Sequence, residues 1–162
     1  MDEMIDTGRG IMGANMEAIT VKGRIDISYE FSAGIAGSRF LRELRDNKRI
    51  MGTRCNGCKR ILVPPRMYCE ECFRDDMEWV DVGDKGTIYT FGVCYFSTEG
   101  TLLDKPWIVA IIRMDGCDGG LVHLIDEVDP GEVRMGMEVQ AVFAEDRVGS
   151  ILDIKYFRPI KS

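Results

Sequence analysis

Two short cysteine pairs, Cys55-Asn-Gly-Cys58 and Cys69-Glu-Glu-Cys72, stand with ten residues between them and constrain the fold more than any other feature of the chain. A tight turn between the two cysteines of a pair directs both sulfurs at one point, so two such pairs can present four soft ligands tetrahedrally to zinc. Four thiolates fill that shell and leave no position for water or substrate. The expectation is therefore one structural zinc per chain, not a catalytic one. A pair of disulfides, a dithiol redox site and an iron centre of rubredoxin type are the competing uses of the same spacing. A module this small buries too little apolar surface to fold without a staple. Gly57 eases the first turn, Pro64-Pro65 stiffens the link, and Arg60–Val63 and Met67–Tyr68 fit two short ribbon strands. Arg54, Lys59, Arg60 and Arg66 are close enough in sequence to offset the net −2 of four thiolates around a divalent ion.

The remaining composition narrows the setting. The N-terminus, Met1-Asp2-Glu3-Met4-Ile5-Asp6, is acidic where a secretory signal is basic and then apolar, and no apolar run approaches the roughly 20 residues that cross a bilayer. A cytoplasmic protein with no membrane partner is expected, and its six cysteines then meet a reducing compartment. The net charge of −6 argues against binding a long nucleic-acid backbone, which normally needs a basic face. Charge is nevertheless segregated. Residues 37–60 hold eight basic side chains against two acidic ones, a local +6 that leaves −12 on the rest of the 162 residues.

Pattern divides the chain into an arm over 1–36, a helix with the cysteine ribbon over 37–78, and a β domain over 79–162. Methionines 1, 4, 12 and 16 lie among small and polar residues without a sustained period, and Ile25, Ile27, Tyr29 and Phe31 then alternate as in a strand. Ser38 is placed to cap a helix from Arg39 to Lys48 with Phe40, Leu41 and Leu44 on one face. Arg42, Arg45 and Arg49 form a stripe beside that face, either a solvated surface or a docking and anion-binding one.

Downstream, Gly86–Phe96, Trp107–Met114, Gly120–Ile125, Met135–Phe143 and Ile151–Phe157 read as five strands of a small antiparallel barrel. Gly92 marks a coil or bulge in the long first strand, and Tyr89, Phe91 and Tyr95 share one alternating face there. Leu102 and Leu103 lie in the loop Ser97–Pro106, placed either to touch a partner or an acyl group or to plug the barrel end. Cys94, Cys117 and the single histidine, His123, carry no motif that would make them a catalytic set.

The run Ser38-Arg-Phe-Leu-Arg-Glu-Leu-Arg-Asp-Asn-Lys-Arg-Ile-Met-Gly-Thr-Arg-Cys-Asn-Gly-Cys58, followed by Val63-Pro-Pro-Arg-Met-Tyr-Cys-Glu-Glu-Cys72, resembles the acyl-CoA-associated zinc-ribbon/OB-fold proteins. The resemblance covers about residues 37–160. It implies a mainly β fold, with an N-terminal helix and rubredoxin-like zinc ribbon followed by a five-stranded OB-fold barrel. It also implies a non-catalytic accessory subunit that binds a thiolase-fold catalytic subunit, forms a hetero-oligomer and supports its acyl-CoA site. Anaerobic aromatic degradation of the benzoylsuccinyl-CoA type is one pathway it brings to mind. In that setting Arg42, Arg45 and Arg49 would meet CoA phosphates or acidic groups of the partner, and residues 25–31 would suit strand addition. The alternative is a nucleic-acid-binding zinc-ribbon/OB-fold protein, with bases stacking on the strand-one aromatics.

Overall fold

The computed structural model describes residues 19–21, 23 and 26–160, and the chain divides into two units, residues 1–31 and 32–162. In the first unit Ile27, Tyr29 and Phe31 are exposed, and the rings of Tyr29 and Phe31 stack with centroids 6.0 Å apart. Side chains two apart meet on one side of an extended backbone. No strand forms among these described residues, however, so the alternation over Ile27–Phe31 stays unpaired. Ile25 and the methionine-containing arm up to residue 18 lie outside the described residues.

The second unit opens with helix α1, Gly34–Asn47, which starts five residues before the expected Arg39. Ser38 is inside the helix, and Ser32 Oγ instead accepts the Gly34 N–H at 3.1 Å. Gly34 and Gly37 lie in the first turn of the helix, where glycine costs only propensity, and burial further along outweighs it. That burial is through Phe40 and Leu44, with Leu41 half-buried beside them. Lys48 in the left-handed region (φ 53°) ends the helix.

Strand β1, Met51–Cys55, is the centre of a three-stranded antiparallel sheet ordered β2-β1-β3, with β2 at Ile61–Leu62 and β3 at Met77–Asp81. Met67–Tyr68 form no strand. The link there is pinned by buried Thr53, whose hydroxyl donates to Arg66 O at 3.0 Å and accepts the Arg66 N–H at 2.9 Å.

Five further strands close a barrel in the order β4-β5-β6-β8-β7: β4 Lys85–Phe96, β5 Leu102–Met114, β6 Gly120–Ile125, β7 Glu138–Phe143 and β8 Ile154–Pro159. All neighbours are antiparallel except β6 and β8, which meet in parallel at Ile125 and Phe157. The last strand starts later than its hydrophobic run because Ile151–Asp153 is a 3₁₀ turn, capped by Ser150 Oγ on the Leu152 N–H.

Two irregularities alter the reading of β4. The register shifts between Ile88 and Thr90 and again between Cys94 and Phe96, whereas Gly92 pairs regularly with Val109. Tyr89 therefore bulges outward, Phe91 packs against the core, and the three aromatics expected on one face do not share it. The second shift also corrects the position of Leu102 and Leu103. They lie in β5, not in a loop, because Phe96 pairs with Leu102 and the hairpin closes over Ser97–Thr101. Between Leu102 and Trp107 the strand carries Pro106, which has no N–H for a ladder, and an irregularity absorbs it.

Helix, ribbon sheet and barrel bury one continuous core. Phe40 and Leu44 of α1, Ile50, Met51 and Val63 of the ribbon, and Ile88, Ile112, Leu121, Ile154 and Phe157 of the barrel are mutually packed. Polar ties reinforce this contact. Arg147 Nε donates to Arg45 O at 2.8 Å, and Asp153 accepts the N–H groups of Val148 and Gly149 at 3.0 and 2.8 Å, holding that loop against the helix. Leu44→Ala should cost about 2–5 kcal/mol of stability. Denaturant unfolding followed by tryptophan fluorescence and by circular dichroism should remain a single coincident transition at a lower midpoint, since no part keeps a core of its own.

Candidate metal centre and the basic helix face

The metal centre is assembled by two turns of the same build. Cys55 ends β1, Lys59 N–H returns to Cys55 O at 2.9 Å, Cys55 N–H reaches Arg60 O at 2.9 Å, and Lys59 has φ 64°. The second turn repeats each feature: Phe73 N–H to Cys69 O at 2.9 Å, Cys69 N–H to Arg74 O at 2.7 Å, and Phe73 at φ 55°. The sequences align as Cys-Asn-Gly-Cys-Lys-Arg60 and Cys-Glu-Glu-Cys-Phe-Arg74. This six-residue repeat is legible in the chain once the closing arginines are included. Gly57 acts by space and not by backbone freedom, since a Cβ there would lie 2.9 Å from Arg74 Cδ and 3.3 Å from Cys72 Sγ.

The Sγ atoms of Cys55, Cys58, Cys69 and Cys72 all lie within 4.8 Å of one another, with Cys55–Cys72 at 3.3 Å and Cys58–Cys69 at 3.5 Å. Zinc–sulfur bonds of about 2.3 Å in a tetrahedron require sulfurs about 3.8 Å apart. The donor set fits zinc, and the Sγ atoms of the cluster stand apart at non-bonded distances, as a shared ion requires and disulfides would not. Ionisation is shared unevenly among the four thiols. The Cys58 N–H, helped by Cys72 and Gly57, pulls Cys55 down to about 6, and the Cys72 N–H lowers Cys69. Hydrogen bonding to Cys55 and burial push Cys72 up to about 12. Backbone amides thus favour the thiolates of Cys55 and Cys69, while the facing thiols hold the proton on Cys72. Arg54, Arg60 and Arg66, expected to offset the thiolates, pair instead with Glu78, Glu71 and Glu70.

The arginine stripe is also partly engaged. Arg45 pairs with Asp46 at 2.7 Å and Arg49 with Asp81 at 3.6 Å, while Arg39 lies 4.4 Å over the Trp79 ring. Arg42 is exposed and has no ion-pair partner among the described residues. Exposed pairs of this kind are weak, so the stripe keeps a positive surface without being an open triple. Leu102 is exposed at the β4–β5 hairpin, and Leu103 is half-buried.

Cys94, Cys117 and His123 do not come together as a nucleophile and base. Leu124 N–H donates to His123 Nδ1 at 2.9 Å, so Nε2 carries the proton and donates to Ile151 O at 3.3 Å. Both ring nitrogens are therefore held by backbone. Burial, with Asp118 and Asp115 nearby, pushes the Cys117 thiol up to about 11.

The sequence reading missed Asp118. Its N–H donates to Ile61 O, and its carboxylate accepts the Ile61 N–H, both at 2.9 Å, with Arg60 at 3.6 Å. It joins the edge of the ribbon sheet to the barrel. Next to it, a Cβ on Gly119 would lie 2.6 Å from Val63 O. The only signal was the acidic, glycine-rich turn itself.

A zinc-ribbon protein fused to an OB-fold barrel is the class that this fold and donor set define. Residues 42–78 match the profile described as "ChsH2, rubredoxin-like zinc ribbon domain", and residues 79–144 match "ChsH2, C-terminal OB-fold domain". The chain belongs to this ChsH2 zinc-ribbon/OB-fold family. It is 32% identical over 128 residues to a DUF35 domain-containing scaffold protein of Pyrococcus furiosus, covering 76% of this chain and 92% of that one. To the scaffold protein of the same description in Methanocaldococcus jannaschii it is 28% identical over 130 residues, covering 76% and 91%. A probable enoyl-CoA hydratase alpha subunit of Thermomonospora curvata is 24% identical over 117 residues, 72% of this chain and 35% of that one. Among solved structures, the Ltp2-ChsH2(DUF35) aldolase shares the fold with a TM-score of 0.57 at 22% identity, over 76% of this chain and 93% of that one. No helix among the described residues is long and apolar enough to cross a membrane.

Loading zinc must displace the protons that Cys58 and Cys72 retain, so zinc retention should fall as pH falls, measured by competition with a chromophoric chelator. Cys55→Ser or Cys69→Ser should abolish stoichiometric zinc and lower the melting temperature. A separate titration concerns the barrel. Burial lowers the His123 pKa despite its two backbone bonds, so the folded state resists protonation. Its effect on stability is absent above the unfolded value of about 6.5 and grows as pH falls below it. His123→Gln should flatten that limb of the stability profile.

Proposed function

We propose that the chain is the accessory subunit of a thiolase-superfamily complex acting on acyl-CoA, supporting assembly and the acyl-CoA site of its catalytic partner. The observation that carries this is family membership with relatives described as scaffold proteins, in a chain whose cysteine cluster is a closed donor set. The description of one relative as a probable enoyl-CoA hydratase alpha subunit supports a CoA-linked setting for such a scaffold. One zinc per chain, held by Cys55, Cys58, Cys69 and Cys72, stabilises the ribbon when bound and takes no part in the reaction. The working division is an arm over 1–36, helix and ribbon over 37–78, and barrel over 79–162. Arg42, with Arg45 and Arg49 beside it, meets CoA phosphates or carboxylates of the partner, and Leu102 and Leu103 lie where the hairpin touches it. Benzoylsuccinyl-CoA is the first substrate to test. The chain works inside the cell.

Nucleic-acid binding has less support. Of the three aromatics, Tyr89 is covered by Arg113 at 4.6 Å and Phe91 packs against the core.

Affinity purification of the tagged chain from its native host should yield a thiolase-fold enzyme, identified by mass spectrometry. The chain alone should not turn over acyl-CoA, and the complex should. Cys94→Ala and Cys117→Ala should leave that activity unchanged, while Arg42→Glu together with Arg45→Glu should weaken assembly or raise the apparent KM for acyl-CoA, with zinc content retained. Turnover by the isolated chain, or its loss in the complex on replacing Cys94 or Cys117 without loss of folding or assembly, overturns the reading.

A further inference from the structure

OB-fold barrels present ligands to the outer face of their second and third strands and to the loops before the second and after the fourth. Here those elements are β5 and β6, the hairpin after β4, and the stretch between β7 and β8. Along β5 the buried positions are Ile108, Ala110 and Ile112, so Trp107, Val109 and Ile111 point outward, and on β6 Val122 and Leu124 do the same. The register sets Ile111 beside Val122 and Val109 beside Leu124. On the other side Thr90, Gly92 and Cys94 of β4 face Ile111, Val109 and Trp107. Ile151 and Leu152 of the 3₁₀ turn border the same surface. The outward positions from Trp107 along β5 and along β6 carry one charged residue, Arg113 at the far end over the Tyr89 ring, in a chain that is 30% charged. Trp107 is 50% exposed, Val122 64% and Leu152 67%. Exposed apolar surface concentrated like this marks an interaction site.

Size and charge select the occupant. An open hollow of about 200 Å³ lies on this face where β5 and β6 meet the 3₁₀ turn, lined by Val109, Val122, His123, Leu124, Ile151 and Leu152. That is below the roughly 300–1,000 Å³ of small-molecule sites. It is the scale of one bulky apolar side chain, the kind of central pocket that dominates protein interfaces. Residues 79–162 hold fourteen carboxylates and eight cationic side chains, so two copies of the barrel would meet at −6 each. A partner with a basic rim is favoured over a second copy.

We propose that the outer face of β5 and β6, centred on Val122 and Leu152 and flanked by Trp107, is the surface that docks the catalytic subunit, receiving an apolar side chain of that partner in the hollow. This rests on the reading of the chain as an accessory subunit.

The test uses the full-length, zinc-loaded chain and its Val122→Glu, Leu152→Glu and Trp107→Ala variants, with zinc content and melting temperature as controls for folding. Capture of the catalytic enzyme identified for the wild type should fall at least tenfold in each glutamate variant, and the wild type should remain monomeric by sedimentation across a wide concentration range. Capture that is unchanged in both glutamate variants overturns the docking face. So does a wild-type dimer that Val122→Glu dissociates, which would assign the face to a second copy. If the enzyme captured is not of thiolase type but still depends on Val122 and Leu152, the docking face stands and the proposed function fails. A wild-type chain that captures no enzyme overturns both.

Discussion

Four sulfurs brought within 4.8 Å of one another hold together segments that have little else to pack on. Cys55 is the last residue of β1, and β1 is the strand on which both β2 and β3 depend for their hydrogen bonds. The other end of β1, with Ile50 just before it, enters the core shared with helix and barrel. One strand therefore transmits the constraint of the metal turns to the rest of the unit. The closing bonds of the two turns involve backbone only, and the side chains of Asn56, Glu70 and Glu71 add ties to Asp76, Arg66 and Arg60 around them. The shape comes from a left-handed fifth residue and from the room that Gly57 leaves for the opposite turn.

Charge is where linear proximity is most deceptive. Residues 37–60 carry an excess of six positive charges, which along the sequence resembles an open binding stripe. In three dimensions the neutralising carboxylates arrive from elsewhere: Asp81 and Glu78 from β3, Glu71 from the second cysteine turn, and Asp118 from the barrel. Each pair is substantially exposed and worth little by itself. Together they turn a segregated sequence into an interleaved surface, in which Arg42 is the stripe member left without such a partner.

The elements legible beforehand were those specified by local chemistry. Cysteine spacing gave the ribbon, a short run bounded by turn residues gave the β6 strand from Gly120 to Ile125 to the residue, and the apolar face of α1 gave Phe40 and Leu44 as its buried anchors. Three features depended on contacts that local pattern does not encode. The helix began early because burial of its far end outweighed two glycines. Strand β5 ran five residues further back because its partner β4 continued to Phe96, past the proline that seemed to end it. Asp118 looked like one more acidic loop residue until Ile61 was placed opposite it, 57 positions away in sequence.

That last contact also links the two halves of the second unit. Asp118 completes the edge of the ribbon sheet, Gly119 admits Val63 at a distance no side chain would allow, and Gly120 begins β6 with its Cα against the Ile112 carbonyl. Three consecutive residues therefore fix the ribbon on one side and the start of a barrel strand on the other. Because strand faces alternate with a period of two, the same register that seats Gly120 turns Leu121 into the core and Val122 outward. The orientation of the barrel's outer face relative to the ribbon sheet is tied to this short stretch. A surface whose parts are already in place gains affinity for another protein, since less ordering entropy opposes association.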